Sequence, residues 1–152
     1  MSLTNIKLRK SEGFTIVELL IVVVVIAILA AITIVSYNGI TNKANSSAAA
    51  SMAATLQKKA ELYASSEDGN GSYPTALSTL TGDSSKPYYI APNTIKITGG
   101  ATNPTSTNGK THLRVNTCTG GLQIVYYDFE NTTTKTINVG TTSSCSGNWA
   151  AA

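Results

Sequence analysis

The stretch that decides the fold is residues 7–35, KLRKSEGFTIVELLIVVVVIAILAAITIV. It begins with basic residues and continues into a long apolar run that holds one carboxylate, Glu18. From Phe14 to Val35 the run counts 22 residues, which as a helix span about 33 Å at 1.5 Å per residue. The hydrocarbon core of a bilayer is about 30 Å thick. We therefore predict one transmembrane helix over residues 14–37.

The residues before this helix predict its orientation. Lys7, Arg9 and Lys10 precede Gly13, and positive charge beside an apolar helix stays on the cytoplasmic side. We expect a single-pass precursor with its N-terminus inside and its body outside. The apolar run is longer than a usual secretory signal and lacks the small-residue cleavage site. A plain signal anchor would explain the basic flank and the apolar run, but not Glu18.

Glu18 indicates a function for this helix. A carboxylate within a transmembrane segment is costly and is a functional hypothesis by default. Glu18 lies one helical turn after Phe14, and a cut between Gly13 and Phe14 would create a cationic amine there. In a bundle of parallel helices, Glu18 of one molecule can meet the Phe14 amine of the next. Such a desolvated pair fixes axial register more surely than it adds stability.

The segment Gly13-Phe14-Thr15-Ile16-Val17-Glu18, with the apolar residues after it, resembles the processing site of type IV pilin and pseudopilin precursors, which carry a class III leader. The resemblance implies that a prepilin peptidase removes residues 1–13 and N-methylates Phe14. It also implies that Glu18 serves in subunit addition. An assembly ATPase and an inner-membrane platform protein are implied as partners, together with further copies of the chain.

Two positions in the helix differ from many of these proteins. They have a glycine near the place of Ala27 and a proline near that of Val35, where the stem kinks or melts. Neither residue stands there in this chain, so we expect a straighter and more helical stem. Asn38-Gly39 is then the first predicted weak point.

Residues 38–152 predict a small exported head. Apolar and small residues at near-helical spacing predict that the helix continues over residues 40–66, with a core face made of Ala44, Ala48, Met52, Leu56, Ala60 and Tyr63. Tyr73-Pro74 resembles the loop after the long helix of pilins, which precedes a short turn of helix. We predict strands over residues 88–90, 94–98, 112–117, 122–129 and 134–139, and a loop-like tail over residues 140–152. The fold class is α+β, with the long helix packed on a small antiparallel sheet.

Candidate sites in the head are few. Cys118 and Cys145 lie in the exported part, where a disulfide persists. We predict that they pair, which by the chain-entropy model supplies roughly 3–3.5 kcal/mol; two free thiols are the alternative.

His112 is predicted on a strand surface without a catalytic partner. A calcium site at Glu67, Asp68, Asn70 and Asp83 is a minor alternative, because their spacing does not fit an EF-hand. We predict no metal, no cofactor and no enzymatic activity.

The predicted function is that of a structural subunit of a type IV pilus-like filament on the bacterial cell surface. A pseudopilin of a type II secretion or competence DNA-uptake system is the first alternative. A membrane-anchored adhesive or binding module without polymerisation is an alternative of another class. After Gly13 the chain has eight basic and seven acidic residues, and this near-neutral balance predicts no specific nucleic-acid binding. Adhesion, motility and DNA uptake all share such a stem, and the loops over residues 99–109 and 140–152 do not distinguish them.

Overall fold

A computed structural model describes residues 13–151 of the chain. Its elements in order are α1 (Ile16–Ser65), α2 (Leu77–Thr81), β1 (Lys96–Ile97), β2 (His112–Cys118), β3 (Gly121–Asp128), β4 (Thr133–Gly140) and β5 (Cys145–Asn148). These residues form two compact units that divide between Asn38 and Gly39. We call residues 13–38 the stem and residues 39–151 the head.

Helix α1 runs through both units. Its backbone is helical at Ala27 and Val35, where no glycine or proline interrupts it. It is also helical at Asn38 and Gly39, where we predicted the first weak point. A glycine inside a helix costs only about 1 kcal/mol relative to alanine, so neighbouring turns can carry the helix across it.

In the head, α1 buries one narrow face of small residues and one leucine. The buried positions are Ala49, Ala53, Leu56 and Ala60. Their spacings of four, three and four residues follow the 3.6-residue period of one helix face. The prediction was wrong for Ala44 and Ala48, which are exposed, because strict four-residue steps drift off this face.

The sheet has the strand order β1-β2-β3-β4, with β5 also paired to β2. All pairs are antiparallel except the two-residue β1, which pairs with β2 in parallel. Cys118 faces Gly121 at the end of the β2–β3 hairpin, so Thr119 and Gly120 form its turn. Gly120 has φ +77°, a left-handed conformation that glycine adopts without a Cβ clash.

One strand prediction and one loop prediction were wrong. Residues 88–90 form no strand, because Tyr89 N–H donates to Lys86 O in a turn and Ile90 N–H donates to Leu80 O beside α2. The tail is not wholly loop-like, since β5 pairs with β2 from Cys145 onward.

The head is built around a single apolar cluster. It lies between the buried face of α1, α2 and the inner face of the sheet, and Trp149 after β5 is buried within it at 1% exposure. The other buried members are Ala53, Leu56, Ala60, Leu77, Leu80, Tyr88, Ile90, Ile95, Ile97, Leu113, Val115, Leu122, Ile124 and Val139.

Candidate functional site

The chain enters α1 through three non-helical residues, Gly13, Phe14 and Thr15. All three are exposed, and Phe14 is 91% exposed. A Cβ added at Gly13 would meet no atom of residues 13–151 within 4 Å. The bond between Gly13 and Phe14 thus lies in accessible, irregular chain two residues before the helix. The rest of the predicted leader, with Lys7, Arg9 and Lys10, lies outside the described residues.

Thr15 and Glu18 form a reciprocal capping box at the start of α1. Thr15 N–H donates to Glu18 Oε2 (2.9 Å) and the Thr15 hydroxyl donates to the same oxygen (2.8 Å). Glu18 N–H points back at Thr15 Oγ1 (3.2 Å), and Leu19 N–H donates to Thr15 O as the first helical bond (3.2 Å). Two backbone donors that a helix start leaves without partners are satisfied in this way.

This arrangement assigns Glu18 a local role that the sequence analysis missed. The signal was present as Thr15-Ile16-Val17-Glu18, since Ser or Thr followed three residues later by an acid, just before an apolar run, predicts a capping box. Both bonds that the carboxylate accepts end on Oε2, and no donor within residues 13–151 reaches Oε1. Glu18 can therefore cap its own helix and still offer one oxygen to another chain.

The stem presents apolar side chains on every side. Its large apolar residues from Phe14 to Tyr37 are between 48% and 91% exposed. Among the described residues, α1 is the one helix whose length and composition are sufficient to cross a membrane. A soluble chain does not leave so large a continuous apolar surface in water. The stem therefore needs a lipid or protein partner that residues 13–151 do not supply.

A buried and multiply bound carboxylate of the head is Asp128, at the end of β3. Its side chain is 3% exposed and pairs with Lys135 of β4 at 2.7 Å. Ser46 of α1 donates its hydroxyl to Asp128 Oδ1 (2.8 Å), and the Asn131 side-chain amide donates to Oδ2 (2.8 Å). These contacts hold the pKa of Asp128 far below its usual range. The Lys135 ammonium has the largest effect, and the Asn131 and Ser46 donors add to it. Asp128 thus fixes the β3–β4 turn to α1.

Two of the residues considered for calcium, Asp68 and Asp83, make other contacts. Asp68 accepts bonds from the Lys86 ammonium (2.7 Å) and the Tyr88 hydroxyl (2.8 Å), which lower its pKa. Asp83 caps its own turn by accepting bonds from Ser85. Within residues 13–151 no group of three or more His, Cys, Asp or Glu side chains could hold a metal ion. An ammonium group therefore occupies the cation position beside Asp68.

The remaining candidate residues of the head have structural contacts. His112 lies in β2 with its ring Nδ1 near Thr111 Oγ1 (2.9 Å) and Asn108 O (3.2 Å). Cys118 at the end of β2 is joined by a disulfide to Cys145 at the start of β5. This bond links the C-terminal strand to the centre of the sheet.

Comparison with known proteins assigns the N-terminal part of the chain. The family model of the prokaryotic N-terminal methylation motif matches residues 8–34. No curated protein and no solved structure matches the chain. The matched residues include Arg9 and Lys10 of the basic flank, the Gly13-Phe14 junction, the capping box and most of the apolar stem. The chain therefore carries the N-terminal methylation motif, in agreement with its resemblance to the type IV pilin and pseudopilin precursors.

Proposed function

We propose that the chain is the membrane-held precursor of a filament subunit of the type IV pilus class. The observation that carries the proposal is the stem itself. The methylation motif spans the start of a stem whose large apolar side chains are all at least 48% exposed. The bilayer covers this surface before processing, and the stems of neighbouring subunits cover it in the filament.

Cleavage between Gly13 and Phe14 is the proposed activating step. It removes residues 1–13, lets residues 14–37 enter the filament core, and exposes residues 38–152 on the cell surface. The new Phe14 amine, N-methylated by the peptidase, meets Glu18 Oε1 of another copy. This contact repeats head to tail without closing, which is the geometry that produces a fibre rather than a ring.

The head supports a structural role rather than a catalytic one. The acidic residues described above are bound to cations or to turn donors, and the ring Nδ1 of His112 lies near Thr111 Oγ1 and Asn108 O. The partners in this proposal are other copies of the chain, the peptidase, the assembly ATPase and the platform protein. We place the precursor in the cytoplasmic membrane and the product in an extracellular filament.

A matched set of stem variants tests the proposal. Glu18→Ala removes both the cap acceptor and the charge, whereas Glu18→Gln keeps an oxygen acceptor and loses only the charge. Both variants should be cut at Phe14, and both should be depleted from sheared filaments. Thr33→Ala is the control, because Thr33 is another polar stem residue, and its hydroxyl donates to Ala30 O of its own helix (2.9 Å). It should assemble like the wild type.

The readout is mass spectrometry of the N-terminus combined with electron microscopy of sheared surface material. Gly13→Ala should remain uncut and supplies the unprocessed reference. Normal fibre yield from Glu18→Gln would refute the charge pairing. Long fibres that begin at methylated Phe14 support the pilus assignment, whereas cut chains without long surface fibres would favour a pseudopilin. Uncut wild-type chains would favour an anchored module.

A further inference from the structure

The position of the helix start relative to the cleavage site points to a role for Thr15 in processing. We propose that the Thr15 cap is a positioning device that keeps the Gly13–Phe14 bond outside α1 and thereby open to the peptidase. The inference rests on the proposed function, because it concerns the same cleavage. It assigns Thr15 a role that precedes cleavage of the Gly13–Phe14 bond and does not depend on filament assembly.

The contacts place the boundary between helix and irregular chain at Thr15. Gly13 and Phe14 have no helical assignment, and α1 begins at Ile16. The Thr15 hydroxyl is central to this boundary, since it both donates to Glu18 Oε2 and faces Glu18 N–H. Removing only the Glu18 side chain leaves the Thr15 hydroxyl facing the backbone N–H of residue 18. Removing the Thr15 hydroxyl breaks both its bond to Glu18 Oε2 and its contact with that N–H.

A protease cleaves a peptide bond only in a locally open chain, so the population of the open form sets the cleavage rate when opening is fast. When a bond lies inside the first turn of a helix, that turn must unwind before the bond can be cleaved. The Gly13–Phe14 bond needs no unwinding, because α1 begins at Ile16, two residues after Phe14. A shift of the helix start by one turn toward the N-terminus would bring the bond into the helix.

The sequence offers a competing start one turn upstream. Ser11 is a preferred N-cap residue, and Glu12 after it suits the first turn of a helix. Near a bilayer, backbone donors without partners are costly, so a helix that loses its cap at Thr15 gains by starting at Ser11, where another side chain can cap it. Thr15 competes with Ser11, and its capping box with Glu18 favours the start that excludes the scissile bond from the helix.

Substitutions at Thr15 separate capping from recognition of side-chain shape. Thr15→Val keeps the shape of threonine and lacks the hydroxyl, whereas Thr15→Asn changes the shape and remains a good N-cap. Loss of an N-cap typically changes the equilibrium between two helix starts about fivefold. We expect Thr15→Val to be cut about fivefold more slowly than the wild type, and Thr15→Ser and Thr15→Asn to be cut within twofold of it.

The experiment uses the full-length precursor in phosphatidylethanolamine–phosphatidylglycerol vesicles with a purified prepilin peptidase. Mass spectrometry follows the fraction of chains that begin at Phe14 over time. A second readout without peptidase is the backbone chemical shift of Gly13 and Phe14, which should move toward helical values in Thr15→Val alone. Adding Ser11→Gly to Thr15→Val should restore part of the cleavage rate, because the competing start is weakened.

The outcomes separate this inference from the proposed function. Equal cleavage rates across the Thr15 series would overturn the inference and leave unaffected the proposal that the chain is cut between Gly13 and Phe14. The same holds if Thr15→Asn is as slow as Thr15→Val, since shape would then matter and capping would not. A wild-type precursor that stays uncut at Gly13–Phe14 would overturn the proposed function together with the inference.

Discussion

The two parts of helix α1 use apolar residues for opposite purposes. In the stem, leucines such as Leu29 are more than half exposed, whereas Leu56 in the head is completely buried. The head cluster is made of head residues throughout. The difference shows that the apolar surface of the stem adds nothing to the head core. It is available for association, first with lipid and then, in the proposed function, with other stems.

The largest expected effect comes from moving the same substitution along α1. Leu56→Ala should lower the free energy of unfolding of the head by about 2–5 kcal/mol, because it removes buried methyl groups and leaves a cavity. Leu29→Ala should leave head unfolding unchanged. Guanidinium unfolding of the full chain in detergent micelles, followed by fluorescence of the buried Trp149, measures both.

A third leucine is the matched control for exposure. Leu62 lies on the head part of α1 but is 43% exposed, so Leu62→Ala should change stability by much less than Leu56→Ala. Equal losses at Leu29 and Leu56 would break the comparison, since the stem would then contribute to the head core.

The second effect concerns the disulfide between Cys118 and Cys145, which joins β2 to β5 in the head. Replacing both Cys118 and Cys145 by Ser should lower the free energy of unfolding by roughly 3 kcal/mol in the chain-entropy model. Cleavage at Phe14 should remain unchanged, because the bond constrains only the head. Non-reducing mass analysis should find one linked peptide pair, and two alkylatable thiols in the exported protein would contradict the bond.

Much of this architecture can be predicted from local patterns. The stem follows from an uninterrupted apolar run, and β2, β3 and β4 follow from runs of Thr, Val, Ile and Tyr around the Thr119-Gly120 turn. In each case neighbouring residues determine the structure.

Two of the missed features depend on partners that are distant in sequence, whereas the missed Thr15–Glu18 capping box is local. Strand β5 forms because Asn148 pairs with Asn116 and the disulfide holds Cys145 against β2. Asp128 acquires its role from Ser46, which is 82 residues away. The candidate site divides in the same way, because the processing residues are local, whereas in the proposed function the outer partner of Glu18 belongs to another molecule.

The third effect is a pH dependence confined to the head. The pKa of Asp128 is lowered on folding, so its contribution to stability is present above the ordinary carboxyl pKa and is lost as pH falls through the folded value. Wild-type stability should therefore fall steadily below about pH 5. Asp128→Asn should be less stable at neutral pH and should show a shallower fall on acidification.

Asp68→Asn is the control for this pH effect. Asp68 is also paired with a lysine, but its side chain is 42% exposed, and exposed pairs contribute little because water screens them. Its acid profile should stay close to that of the wild type. An unchanged profile for Asp128→Asn, measured by urea unfolding at a series of pH values, would show that the β3–β4 turn does not depend on this carboxylate.

The smallest effect tests the boundary between stem and head. Gly39 is helical, and a Cβ there would meet no atom of residues 13–151 within 4 Å, so Gly39→Ala should stabilise α1 by about 1 kcal/mol. Gly71 also has open space around it but has φ +82°, so Gly71→Ala should destabilise the head. Hydrogen exchange of the amides of residues 36–42 should slow in Gly39→Ala. Faster exchange there would mean that α1 is not continuous through the boundary and consists of two separate helices, one in the stem and one in the head.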